Sequence, residues 1–83
     1  MISIDTLRAD HVGCYGATAV ETPNLDGLAA RGIRFDAAYT ATPLTIPAHA
    51  ALMTGLYPFA HSVRDNGDHA LAPSVTTLAE RFR

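Results

Sequence analysis

Two runs with the period of a strand, Met1–Asp5 and Ile33–Tyr39, lie either side of one run with the period of a helix, and this alternation constrains the fold most. In Ile33-Arg34-Phe35-Asp36-Ala37-Ala38-Tyr39 apolar and mostly polar positions alternate, the period of two that a pleated strand imposes. In Pro23-Asn24-Leu25-Asp26-Gly27-Leu28-Ala29-Ala30-Arg31 the apolar residues Leu25, Leu28 and Ala29 share one helical face. Thr22 is the expected cap of that helix and Gly32 its stop. Strands alternating with helices pair in parallel, so the chain reads as α/β. Open α/β sheets bind ligands outside the carboxyl ends of their strands. Asp5 sits at such an end, where a carboxylate suits a hard cation, although a turn or cap role explains it equally well.

The segment Thr45-Ile46-Pro47-Ala48-His49-Ala50-Ala51-Leu52-Met53-Thr54-Gly55 predicts a short helix from Pro47 to Thr54, stopped by Gly55, with a hydroxyl just ahead of it. A helix N-terminus carries free N–H groups and the positive end of a dipole, so it attracts anions. Thr45 is then placed either to cap the helix or to attack an anionic ester. In an α/β topology the loops after successive strands emerge on one edge, which gives Asp5 and Thr45 a physical reason to meet.

The remaining stretches are loop-like. Thr6 to Glu21 forms a Gly-containing connection, and Leu56 to Pro73 is rich in turn residues, with Asp65-Asn66-Gly67 the clearest turn signal. Thr77-Leu78-Ala79-Glu80 is a capping-box pattern expected to open a helix running past Arg83. With 83 residues the chain can bury one small core, whereas an α/β sheet enzyme needs well over about 150. It starts within a strand-like run and ends within a helix-like one. The expectation is therefore the front part of a longer domain, with apolar sheet edges left open and poor solubility in isolation.

Composition removes several classes. A net charge of −2 and six cationic side chains, all Arg, carry no nucleic-acid signature. No apolar run approaches the roughly 18 residues of a membrane span. The single cysteine, Cys14, has no intramolecular disulfide partner and reads as a small apolar filler in a turn. His11, His61 and His69 read as solvated loop residues, and Asp10 as a salt-bridge or turn residue. His49, on the helix behind Thr45, is placed to orient that residue, to contact substrate or to pack.

Six stretches taken together carry a family likeness. They are Asp5-Thr6-Leu7-Arg8-Ala9-Asp10-His11, Gly13-Cys14-Tyr15-Gly16, Thr22-Pro23-Asn24-Leu25-Asp26, Phe35-Asp36-Ala37-Ala38-Tyr39, Thr54-Gly55-Leu56-Tyr57-Pro58 and Thr77-Leu78-Ala79-Glu80. In this order and at this spacing the chain closely resembles the opening of sulfatase-family proteins, within the alkaline phosphatase superfamily. The resemblance implies the N-terminal part of a three-layer α/β/α domain with a mostly parallel sheet, residues 1–83 forming one incomplete piece of it. It implies that Asp5 is the first metal-binding acid and that Thr45 is the nucleophile and also touches the metal. It places His49 where sulfatases carry an Arg beside the nucleophile. The implied cofactor is a divalent ion, Ca, Mg, Mn or Zn, and the implied substrate is a small-molecule or glycan sulfate or phosphate ester.

The departures from the family pattern bear on the chemistry. Sulfatases resemble one another in a Cys or Ser nucleophile that is oxidised to formylglycine. The β-carbon of Thr45 already bears a methyl group, so its oxidation would give a ketone. Ala48 stands in place of the usual Ser, His49 in place of the usual Arg, and Thr6 in place of the common second Asp. Thr45-x-Pro47-x-His49, followed by Thr54-Gly55-Leu56-Tyr57-Pro58 and His61, is also similar to the phosphodiesterase branch, which uses a threonine nucleophile. The reading is a metal-dependent hydrolase that favours phosphoryl transfer, with these residues alone inactive. The alternative is a non-catalytic relative that keeps the scaffold.

Overall fold

The computed structural model describes residues 1–83 and divides into two compact units, Met1–Ala38 and Tyr39–Arg83. In the first unit, helix α1 spans Pro23–Arg31, with Pro23 at its first position and Gly32 at its C-cap, as its periodicity requires. Thr22 takes the N-cap position without capping through its side chain. Its hydroxyl instead accepts the Gly13 N–H at 2.8 Å and donates to Asp26 Oδ1 at 3.1 Å. The same Asp26 oxygen accepts the Cys14 N–H at 2.6 Å. Two residues of α1's N-terminal turn thus hold the loop that follows Asp5.

That loop contains two short 3₁₀ turns, Ala9–His11 and Gly13–Tyr15, with Val12 buried between them. Arg8 and Asp10 form an exposed ion pair at 2.6 Å, the role expected of Asp10. The Arg34 guanidinium donates to the Cys14 carbonyl and lies 5.3 Å from the centroid of the Tyr15 ring. The Tyr15 hydroxyl donates to the Phe35 carbonyl at 2.8 Å. Residues 33–36 are thereby tied back onto the 3₁₀ turn.

Neither expected strand forms. Met1–Ile4 and Ile33–Tyr39 carry no ladder pairing, and residues 5 and 6 are a turn. Ile2, Ile4, Ile33 and Phe35 instead line an apolar cavity of about 580 Å³ together with Val12 and Leu28. A strand has no hydrogen bonds of its own, so its N–H and C=O groups need neighbours on the ladder. A parallel pair also needs cover on both faces to be stable. Here Ile2 is 88% and Ile33 84% exposed, so that cover is missing. The alternating pattern therefore marks apolar residues that meet around this cavity rather than a paired strand.

In the second unit, helix α2 spans Thr45–Thr54 and starts two residues earlier than Pro47 predicts. Gly55 ends it in the left-handed region at φ 70°, as expected, and donates its N–H to the Ala51 carbonyl. A single turn, α3, covers Pro58–His61 within the stretch expected to be all loop. Its C-cap is Ser62 at φ 66°, where a glycine is more usual. Helix α4, Leu78–Arg81, opens with the predicted capping box. The Thr77 hydroxyl accepts the Glu80 N–H, and the Glu80 carboxylate accepts the Thr77 N–H at 2.7 Å. Pro47 and Ala50 of α2 are buried along with His61 and Val63, which makes the core of this unit small.

Candidate active site

Asp5 belongs to the first unit, and Thr45 and His49 to the second. Asp5 is exposed at the start of a sharp turn whose second residue, Thr6, has φ 56°. A β-branched residue in the left-handed region is a genuine outlier, and such strain is concentrated at functional sites.

Thr45 occupies the first position of α2, while Leu44 holds the N-cap and offers no side-chain cap. The capping explanation for Thr45 therefore fails, and its side chain stands exposed at the positive end of the helix. Of the amides at this end, Pro47 has none to give, and the Ala48 N–H already bonds to the Leu44 carbonyl at 2.9 Å. The Ile46 N–H is taken by a side chain from much further along the chain, since Asn66 Oδ1 accepts it at 3.0 Å. Asn66 does the work that an N-cap residue ordinarily does for this position. The sequence marks Asp65-Asn66-Gly67 as a turn and contains no signal that its central side chain reaches α2.

His49 Nδ1 lies 2.8 Å from the carbonyl oxygen of Thr45, one helical turn back. A carbonyl only accepts, so Nδ1 carries the proton in this contact. His49 thus fixes the backbone of Thr45 on the side away from the helix entrance.

The other histidines divide. His11 is exposed and His69 is paired with Asp65 at 2.8 Å. His61, expected in solvent, is 1% exposed, and its Nδ1 accepts the Val63 N–H at 3.2 Å. The proton of the neutral ring then lies on Nε2, which meets no acceptor. The sequence position after Pro58-Phe59-Ala60 gave no sign of this burial, because a single helical turn is too short to display a periodicity.

No three of the His, Cys, Asp and Glu side chains cluster. Four ligands suit zinc and six to eight oxygens suit calcium, so these residues do not by themselves compose a metal site.

The sulfatase family model matches residues 1–83, the whole chain. The chain belongs to the sulfatase family. This chain is 48% identical over 87 residues to a protein called uncharacterized sulfatase YidJ from Escherichia coli K12, an alignment covering 99% of the chain and 16% of that protein. It is 41% identical over 82 residues to an arylsulfatase of Clostridium perfringens, covering 99% of the chain and 17% of the relative. An N-acetylgalactosamine-6-O-sulfatase of Bacteroides thetaiotaomicron is 41% identical over 58 residues, 70% of the chain and 11% of that protein. No solved structure matches the chain. The family's fold is α/β of the alkaline phosphatase type, and its members generally use a divalent metal ion. The chain spans about a sixth of the length of the first two relatives. No helix in it is long and apolar enough to cross a membrane.

Proposed function

We propose that the full-length protein is a hydrolase of sulfate or phosphate and phosphonate esters in which Thr45 is the nucleophile. The observation that carries this reading is the placement of Thr45. Its hydroxyl is exposed at the first position of α2 and is not used as a cap, and the resemblance to sulfatases aligns it with their nucleophile. The dipole of α2 favours an anionic group at this end, and the Thr45 and Leu44 amides are the ones left to meet it. His49 holds the Thr45 main chain from the opposite side.

The chemistry favours phosphorus over sulfur. Thr45 Oγ1 attacks the phosphoryl group, the bond to the alcohol breaks, and the hydroxyl proton leaves with the alcohol. Water then cleaves the phospho-threonine, releasing phosphate and restoring the hydroxyl. A sulfated threonine lacks the hydrated-aldehyde exit that formylglycine provides, because the Thr45 β-carbon bears a methyl group. Asp5 and Thr45 are the oxygen donors this chain would offer to Ca, Mg, Mn or Zn. The other ligands, and most of a three-layer, mostly parallel sheet, would come from the rest of the full-length domain. The substrate would be a small-molecule or glycan ester.

A second reading rests on a specific observation. Thr45, Ala48 and His49 all depart from the sulfatase pattern at once, as they would in a relative that keeps the scaffold and has lost turnover. Assays of the full-length protein with 4-nitrophenyl sulfate, phosphate, phosphodiester and phosphonate, in each of the four metals, separate the two. Turnover of a phosphorus ester that disappears in Thr45→Ala supports the proposal. Sulfate turnover lost in Thr45→Ala overturns the phosphoryl preference, and activity unchanged in that variant overturns the nucleophile assignment.

A further inference from the structure

Asn66 reaches the start of α2 from a turn, and the turn has its own fastening. Asp65 Oδ1 accepts the Gly67 N–H at 2.7 Å and lies 2.8 Å from His69 Nε2. The His69 N–H also bonds to the Gly67 carbonyl at 2.8 Å. One carboxylate oxygen thus draws both limbs of the 65–69 turn together, leaving the side chain between them aimed at Ile46. Gly67 permits this approach, since a Cβ there would lie 2.8 Å from the same Asp65 oxygen.

We propose that Asp65 is a positioning residue for the nucleophilic end of α2, setting the turn from which Asn66 holds the Ile46 N–H beside Thr45. This rests on the reading of Thr45 as nucleophile. The first turn of α2 has few other fastenings, because Pro47 supplies no donor and Leu44 no cap. Releasing Asn66 lets residues 45 and 46 fray, so that the Thr45 oxygen loses its place relative to a bound ester. Such misplacement acts on the chemical step more than on binding. The Gly67 N–H, and with it the His69 imidazole, holds the Asp65 carboxyl below the usual carboxylate range, which agrees with a charged oxygen at the centre of the turn.

The test uses the full-length protein with two readouts, steady-state kinetics on its best nitrophenyl ester and hydrogen exchange of the Ile46 amide. Asp65→Ala is expected to lower kcat by about 10- to 100-fold with KM little changed, and to speed Ile46 exchange. Asn66→Ala is expected to do the same, and the double variant to be no worse than either single one, since both act through one contact. Asp65→Asn keeps an acceptor for the Gly67 N–H and is expected to restore most of kcat and the slow exchange. Should Asp65→Ala fail to fold, Asp65→Glu replaces it, its longer stem displacing the carboxylate from Gly67. Unchanged Ile46 exchange in Asp65→Ala, or in Asp65→Glu where that replaces it, or strictly additive losses in the double variant, would overturn the proposal. Thr45→Ala distinguishes the two levels. If it keeps activity, the nucleophile reading falls, while the exchange data still decide whether Asp65 sets the contact of Asn66 with Ile46.

Discussion

The Asn66 side-chain oxygen accepts the Ile46 N–H at 3.0 Å and so supplies, from twenty residues away, the cap that Leu44 cannot give to α2. Asn66→Ala should destabilise the full-length protein by about 1 kcal/mol, the usual loss on removing a cap. Asn66→Asp keeps the acceptor and adds a negative charge at the positive end of α2, so stability should hold or rise. The same charge faces the anionic ester proposed to bind there and should reduce turnover by about tenfold or more. Denaturant unfolding and kinetics on both variants would reveal the split, and equal losses in both would argue for a purely structural Asn66.

The hold of Thr22 and Asp26 on the 3₁₀ turn gives a second expectation. Asp26→Ala strands the part-buried Cys14 N–H and removes a partner of Thr22, at about 1–3 kcal/mol. Gly13→Ala should be at least as damaging, because its Cβ would fall 2.4 Å from Asp26 Oδ2. Asp26→Asn retains an oxygen for Cys14 and should be milder than either. Melting curves of the three full-length variants check this order.

Ser62 ends α3 in the left-handed region at φ 66°. Ser62→Gly should raise stability by about 1 kcal/mol by relieving the clash of its Cβ, and Ser62→Val should lower it. A shift of the unfolding midpoint in the opposite sense for glycine would show that the Ser62 side chain makes contacts elsewhere in the whole domain.

The capping box of α4 responds to acid. The Thr77 N–H, and then the Thr77 hydroxyl, hold the Glu80 carboxyl below its ordinary value of 4.5. A lowered folded-state value means that the charged form stabilises the helix above pH 4.5, and that this support fades as pH falls through the lowered value. The Glu80 amide should therefore exchange faster in acid than expected from chemistry alone, and Glu80→Gln should remove that dependence. An identical pH profile in the two proteins would contradict it.

Helices were legible in the sequence wherever a period and a stop coincide. α1 was read from Pro23 to Arg31 and α4 from its Thr77–Glu80 box because both signals are local. The start of α2 was placed late because Pro47 fits the first position in general, yet here the helix begins at Thr45 and the proline sits inside the first turn. The strands failed for a different reason. Ile2, Ile4, Ile33 and Phe35 alternate as strand residues do, but pairing depends on neighbours that a local pattern does not contain. Near the proposed site, the contact of His49 with the Thr45 carbonyl follows from their i, i+4 spacing on one helix. Asn66 and the buried His61 were missed, since each is defined by a tertiary contact that no local spacing announces.

Exposure explains how the isolated chain should behave. Ile2, Ile33, Phe35, Tyr39 and Phe82 are each at least 70% exposed, and α2 is apolar on most of its circumference. The 83-residue polypeptide should bind a hydrophobic dye and associate on concentration. A cooperative thermal transition in the purified piece would contradict this.

The most direct test of Thr45 as a phosphoryl-accepting nucleophile is acid quenching of the full-length protein during turnover of 4-nitrophenyl phosphate, followed by mass spectrometry of the peptide that contains Thr45. A phosphoryl group is expected on Thr45, forming with the release of nitrophenol and absent in Thr45→Ala. Steady release of nitrophenol with an unmodified Thr45 peptide, undiminished in Thr45→Ala, would contradict it.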